Sequence, residues 1–284
     1  MPVPMHTVRL TKRLEFSAAH RYHNPAWPEE RNRAVFGRHS NPHGHNYLLE
    51  VTVSGAIDPV TGMVINLYDL KQVLEQVLVE FDHKSLNEDT PYFKDRIPTT
   101  ENFAVVLWDK IGEQLRGARL VALRLFEEED LSVDYEGRRR GKSSEVYLTR
   151  RYRFAAAHRL HTDALSEEEN YRVFGKCNNP NGHGHNYTLE VTLRGEIMPE
   201  TGTVTDLERL DRTVEERVLK RFDHQHLNYD EAFADKVTTG ENLVVLLWNL
   251  LEKAVPAGTL HKVGLVETRD NYFEYAGPSV GRAS

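Results

Sequence analysis

The chain has 284 residues, 39% of them hydrophobic and 28% charged, with 18 Gly, 12 Pro and a formal net charge of -7. That composition describes a globular protein and excludes a fibrous or disordered one, and the acidic balance argues against a nucleic-acid partner, whose phosphates call for clustered Lys and Arg. No apolar run approaches the ~20 residues of a membrane span and the start lacks the apolar core of a signal peptide, so a cytoplasmic protein with no membrane partner is expected.

The first predicted strand carries FSAAHRYH at Phe16 to His23, and the same phrase returns as FAAAHRLH at Phe154 to His161. NPHGHNYLLEVTVSG likewise returns as NPNGHGHNYTLEVTLRG, with Asn181 and Gly182 extra, and the likeness runs on through FDHKSLN and FDHQHLN to the endings VDYEG and FEYAG. A repeat of this length means two copies of one domain. They are placed at 1–137 and 146–284, with the Gly/Ser-containing, basic stretch 138–145 (Arg138 to Arg140 and Lys142) read as a linker.

Each copy reads as strand, strand, helix, helix, strand, strand. In the second, Leu189, Val191 and Leu193 alternate with Glu190, Thr192 and Arg194, the pattern of a half-buried strand. Leu207, Leu210, Val214 and Val218 then recur at helical spacing behind Asp206, a candidate N-cap. Thr238 with Glu241 three residues on predicts a capping box opening the apolar helix Leu243 to Leu251. The closing strands, LHKVGLVET and NYFEYAG, meet at a turn around Asp270 and Asn271. The expectation is an α+β domain, a four-stranded antiparallel sheet with two helices on one face.

Histidine placement is the strongest chemical signal. His183 and His185 stand two apart at the start of a strand and so share a face, with Gly184 adding no bulk between them. His158 is the natural third ligand, and His20, His43 and His45 repeat the set. Three neutral imidazoles with an open position form the catalytic pattern for zinc. The single cysteine, Cys177, lies in a polar Gly/Asn/Pro-rich loop, FGKCNNPNGHGHNY, ahead of the second pair.

This loop, with FAAAH before it and FDH after it, resembles the 6-pyruvoyl tetrahydropterin synthase family, and the likeness extends through TGENL, LVET and YAG. The resemblance implies tandem tunnelling-fold (T-fold) domains and a lyase that eliminates triphosphate from 7,8-dihydroneopterin triphosphate. It assigns Zn2+ to His158, His183 and His185, the general base to Cys177, a proton relay to Asp223 and His224, and the pterin anchor to Glu267. Glu241 reads equally as a second pterin contact or a helix cap. The five residues between Cys177 and His183 match the pyruvoyl-forming type better than the related 6-carboxytetrahydropterin synthases of queuosine synthesis. A pterin-binding module without activity and a zinc hydrolase needing no thiol are the rivals.

The first copy keeps Asp82, His83, Glu101 and Glu127 at the equivalent places but has no cysteine. Its loop reads FGRHSNPHGH, so His39, or with a shifted gap nothing, stands where Cys177 does. His39 reads as a substitute base or as a fourth ligand that closes the metal site. The preferred expectation is a degenerate first site that binds metal, with an architectural role. The resemblance further implies a site assembled between subunits and a homo-oligomer, most simply a homotrimer with six domains.

Overall fold

The computed structural model describes residues 6–141, 143–256 and 259–278. It divides into two compact units, the first made of 1–149 with 194–206 and the second of 150–193 with 207–284. The units therefore do not follow the repeat boundaries: the loop 194–206 belongs by sequence to the second copy and by packing to the first unit. The stretch 138–145, read as a linker, is a hairpin in which Arg139 and Arg140 pair with Ser144 and Ser143. Lys142 lies outside the described residues.

In the first unit the elements run β1 (Thr7–His20), α1 (Glu29–Phe36), β2 (His43–Ala56), α2 (Leu67–Leu78), β3 (Lys84–Ser85), α3 (Thr100–Gln114), β4 (Arg119–Glu128), β5 (Leu131–Tyr135) and β6 (Arg139–Arg140). The sheet order is β5-β4-β2-β1-β3. To the expected order of strands and helices the structure adds α1 and the short β3, which pairs parallel to β1 at Ala18 and Ala19. Along β2, Tyr47, Leu49, Val51 and Val53 are fully buried, and they meet Leu70, Leu74 and Val77 of α2 and Phe103, Leu107 and Ile111 of α3 in the core. Each such side chain stabilises the fold by about 1.5–3 kcal/mol through removal of apolar area from water.

The second unit repeats the plan. The strand β7 (Ser143–His158), which belongs to this unit from Arg150 on, leads into α4 (Glu167–Phe174), β8 (His183–Glu196, in this unit as far as Leu193), α5 (Leu207–Val214), a π-helical segment Glu215–Leu219, the single turn α6 (Lys220–Phe222) and β9 (Gln225–His226). It closes with α7 (Gly240–Leu251), β10 (Thr259–Thr268) and β11 (Asn271–Tyr275). The sheet order is β11-β10-β8-β7-β9.

The cap of α7 differs from the predicted one by a residue. Thr239, not Thr238, is the N-cap, and its hydroxyl accepts the Asn242 N–H, whereas the Thr238 hydroxyl donates to the Arg159 carbonyl. Tertiary geometry decides between two adjacent threonines that local pattern cannot separate. No helix among the described residues is long and apolar enough to cross a membrane.

Candidate active site

Sheet register assembles the histidines. In the first unit His20 lies directly opposite His43 on the neighbouring strand, and Ala18 lies opposite His45, so the three rings crowd one end of the β1–β2 ladder. In the second unit His158, His183 and His185 have ring centroids 4.5, 5.0 and 5.1 Å apart. The Nδ1–H of His158 donates to the Thr238 carbonyl at 2.7 Å, and that of His20 donates to the Pro98 carbonyl at 2.8 Å. Those bonds fix the tautomer and leave Nε2 with its lone pair turned inward.

Burial lowers the pKa of His158 and His183, with the neighbouring imidazoles adding to the effect, and it lowers His20 to about 4. The rings are therefore neutral at pH 7. Nε2 of His158 and Nε2 of His183 face each other at 3.2 Å, and the Nε2 atoms of His43 and His45 are buried with no hydrogen-bond partner. Lone pairs buried and aimed at one point are satisfied by a cation, and both triads, each within 4.8 Å, could hold a divalent metal ion.

The acid beside each triad differs between the copies. Glu267 Oε1 lies 3.9 Å from Nε2 of both His158 and His185 and accepts a hydrogen bond from the Tyr187 hydroxyl at 3.4 Å. Its counterpart Glu127 is 1% exposed and joins the metal-type cluster with His20, His43 and His45. Glu127 Oε2 accepts the Tyr22 hydroxyl at 3.0 Å and, in a short bond, the Thr100 hydroxyl. The second copy has Leu160 and Gly240 at those two positions. A Cβ at Gly240 would collide with the ring of Phe273, so packing there requires glycine. Reading the sequence alone missed Tyr22 and Thr100, although a position-by-position comparison of the copies displays both.

Asp223 and His224 form a built pair. Asp223 Oδ1 accepts the Ala155 N–H at 2.8 Å and lies 3.0 Å from His224 Nδ1. The Ala155 N–H first, then His224, hold the carboxyl below its usual range. The His224 N–H donates to the Ala155 carbonyl at 2.6 Å, and its φ of 57° is left-handed, a conformation rare for histidine. Asp82 and His83 repeat the pair, with His83 at φ 58°. His224 shares a shallow hollow with Gly184 and His185.

Cys177 is half-buried in the 3-10 turn Gly175–Asn178. Its carbonyl accepts the Leu160 N–H at 2.9 Å, tying the loop two residues beyond His158. The preceding residue, Lys176, is close enough to His183 to add to the lowering of its pKa, after burial and His185. Among the described residues no hydrogen bond joins Cys177 to the Asp223–His224 pair.

The first-copy turn Gly37–Ser40 has the same build, with the His39 carbonyl accepting the Tyr22 N–H at 2.8 Å. His39 therefore occupies the place of Cys177, and no shifted gap is needed. Its ring stacks on Tyr22 at 5.3 Å and lies outside the metal-type cluster, whose fourth member is Glu127. The imidazole stacks on Tyr22 and also meets the ring of His43 edge-on, with centroids 5.8 Å apart.

Fold and site together define an α+β protein with a metal-type histidine triad on its sheet, present twice. The family model for 6-pyruvoyl tetrahydropterin synthase matches residues 9–138 and again 147–278, and the chain belongs to that family as a tandem duplication. It is similar to the 6-pyruvoyl tetrahydrobiopterin synthase of Homo sapiens, 47% identical over 138 residues covering 48% of this chain and 95% of the relative. The enzyme of that name from Drosophila melanogaster is 46% identical over 135 residues, covering 47% of this chain and 80% of the relative. The solved structure of Caenorhabditis elegans 6-pyruvoyl tetrahydropterin synthase matches at 43% identity over 47% of this chain and 96% of its own, with a TM-score of 0.46.

Proposed function

We propose that the second copy is a zinc-dependent 6-pyruvoyl-tetrahydropterin synthase acting on 7,8-dihydroneopterin triphosphate, and that the first copy is its structural partner. One observation carries the reading: only the second copy combines a cysteine in the turn before its histidine pair with a carboxylate, Glu267, that is not fully buried as Glu127 is.

Glu267 orients the substrate, its carboxylate accepting hydrogen bonds from the amino and imino groups of the pterin ring. Zinc held by His158, His183 and His185 supplies Lewis acidity toward the side-chain hydroxyls of the substrate. Cys177 takes the proton from the carbon next to the ring. The thiolate, not the thiol, is the effective base. Asp223 fixes the ring of His224, which returns a proton as triphosphate departs. The exposed Asp223–His224 pair has no bond to Cys177 in its own chain, so the relay reaches the thiol across a subunit boundary in a homotrimer. Glu241 stands at the pterin edge of this site. The setting is cytoplasmic.

In the first copy Glu127 is already engaged by Tyr22 and Thr100, and His39 is stacked on Tyr22. Glu127 and Glu101 are both too buried to receive a ring, so that copy keeps a metal-type site without a synthase. Incubation of the zinc-loaded chain with dihydroneopterin triphosphate tests the reading by mass spectrometry of the products. Triphosphate with 6-pyruvoyl-tetrahydropterin is expected. Release of acetaldehyde would make the protein a 6-carboxytetrahydropterin synthase, and absence of turnover would leave a pterin-binding module.

A further inference from the structure

Glu127 and Glu267 hold the same place in the two copies, each two residues beyond a fully buried leucine, Leu125 on β4 and Leu265 on β10. Their carboxylate oxygens are employed differently. Both oxygens of Glu267 are occupied: Oε1 accepts the Tyr187 hydroxyl at 3.4 Å, and Oε2 accepts the Asn271 side-chain N–H at 3.2 Å. Glu127 has only Oε2 occupied, by the hydroxyls of Tyr22 and Thr100. Its Oε1 is buried, has no hydrogen-bond partner among the described residues, and faces His45 Nε2 at 3.5 Å.

The imidazoles around that oxygen are in the same condition. The ring centroids of His20, His43 and His45 lie 4.6, 4.9 and 5.2 Å apart. Nδ1 of His20 donates to the Pro98 carbonyl at 2.8 Å and Nδ1 of His43 to the Asn41 carbonyl at 2.7 Å, which turns each Nε2 lone pair inward. Nε2 of His43 and of His45 are, like Glu127 Oε1, buried without a partner. Three nitrogens and one carboxylate oxygen thus converge within 4.8 Å, whereas the matching cluster of the second copy contains three histidines and no acid. A buried carboxylate oxygen and buried lone pairs with no donor between them are costly unless a cation satisfies them together.

We propose that Glu127 is the fourth protein ligand of a divalent metal ion held by His20, His43 and His45, closing the first copy's site as a structural zinc centre. Three imidazoles and a carboxylate complete the tetrahedral set that zinc prefers, with no position left for water or a substrate hydroxyl. Tyr22 and Thr100 are positioning residues: by holding Oε2 they present Oε1 to the metal. The second copy, with Leu160 and Gly240 in their places, lacks both hydroxyls. The closure rests on the reading of the first copy as a metal-type site, and the test scores metal uptake apart from closure, so the two fail separately.

The test uses the full-length chain carrying His183→Ala and His185→Ala, which leaves the first copy's ligands to bind cobalt(II), a visible probe of zinc sites. Cobalt is expected to bind with absorption bands that added azide leaves unmoved, since no coordination position is open. Glu127→Gln in the same chain replaces the ligand oxygen by a weaker donor of like shape, and azide is then expected to shift the bands. Tyr22→Phe removes only a hydroxyl, and chelator competition is expected to show a loss of about 10–100-fold in metal affinity. Bands that azide shifts in the parent chain, or a Glu127→Gln chain whose cobalt stays as inert to azide as the parent's, would overturn the closure. A parent chain that takes up no cobalt would overturn the metal centre itself. Turnover is not part of the readout, so failure of the synthase reading leaves this result standing.

Discussion

Glu101 shows how burial rewrites one carboxyl. It is fully enclosed, and burial raises its pKa from 4.5 to about 7 against the opposing bond from the Val204 N–H. The folded state therefore binds the proton more tightly than the unfolded chain between those two values. Stability is greatest below pH 4.5 on this account and falls as pH rises to about 7, by on the order of 3 kcal/mol. Glu101→Gln keeps an acceptor for Val204 and removes the titration. Its denaturation midpoint is expected to vary less with pH than that of the wild type across this window, and parallel profiles would contradict the account. The metal-type histidines were legible in the sequence because the i, i+2 spacing on a strand forces both rings onto one face. The state of Glu127 and Glu101 was not, because it depends on Tyr22, Thr100 and Val204, which reach them only through the tertiary fold.

The loop bearing Cys177 is held by an element that periodicity did not reveal. The helix α4 is a short, polar segment with one buried residue, Asn170, and its fold rests on side-chain bonds more than on an apolar stripe. Asn170 donates to the carbonyls of Thr162, Leu165 and Ser166 at 2.8, 3.0 and 3.1 Å and accepts the Thr162 N–H at 2.9 Å. Ser166 and Glu169 form the capping box that α1 lacks, where Pro28 takes the cap position. Asn170→Ala strands several buried backbone groups and is expected to cost about 1–3 kcal/mol in urea denaturation, while Ser166→Ala costs about 1 kcal/mol. An unchanged midpoint for Asn170→Ala would show that the loop does not depend on it. The long strands and the apolar helices α3 and α7 were readable from alternation and helical spacing. α1, α4 and the short parallel strands β3 and β9 were not, since two-residue strands and polar helices leave no periodic signal.

At the scale of the molecule, duplication has kept the metal-type triad in both copies and the thiol in one. The wild type is expected to hold equal amounts of metal in the two triads, and His158→Ala to lose half the zinc measured by atomic spectrometry. An unchanged metal content would contradict the second triad as a site. The repeat itself was plain in the sequence, but the exchange of residues 194–206 into the first unit was not, because strand pairing and loop packing across copies leave no trace in a self-comparison. The central claim is that the second copy alone performs the chemistry, and triphosphate release by Cys177→Ala and by His39→Ala tests it most directly. Loss of release in Cys177→Ala with near wild-type rates in His39→Ala is the predicted result, and release that survives loss of the thiol, or that fails with His39, would contradict it.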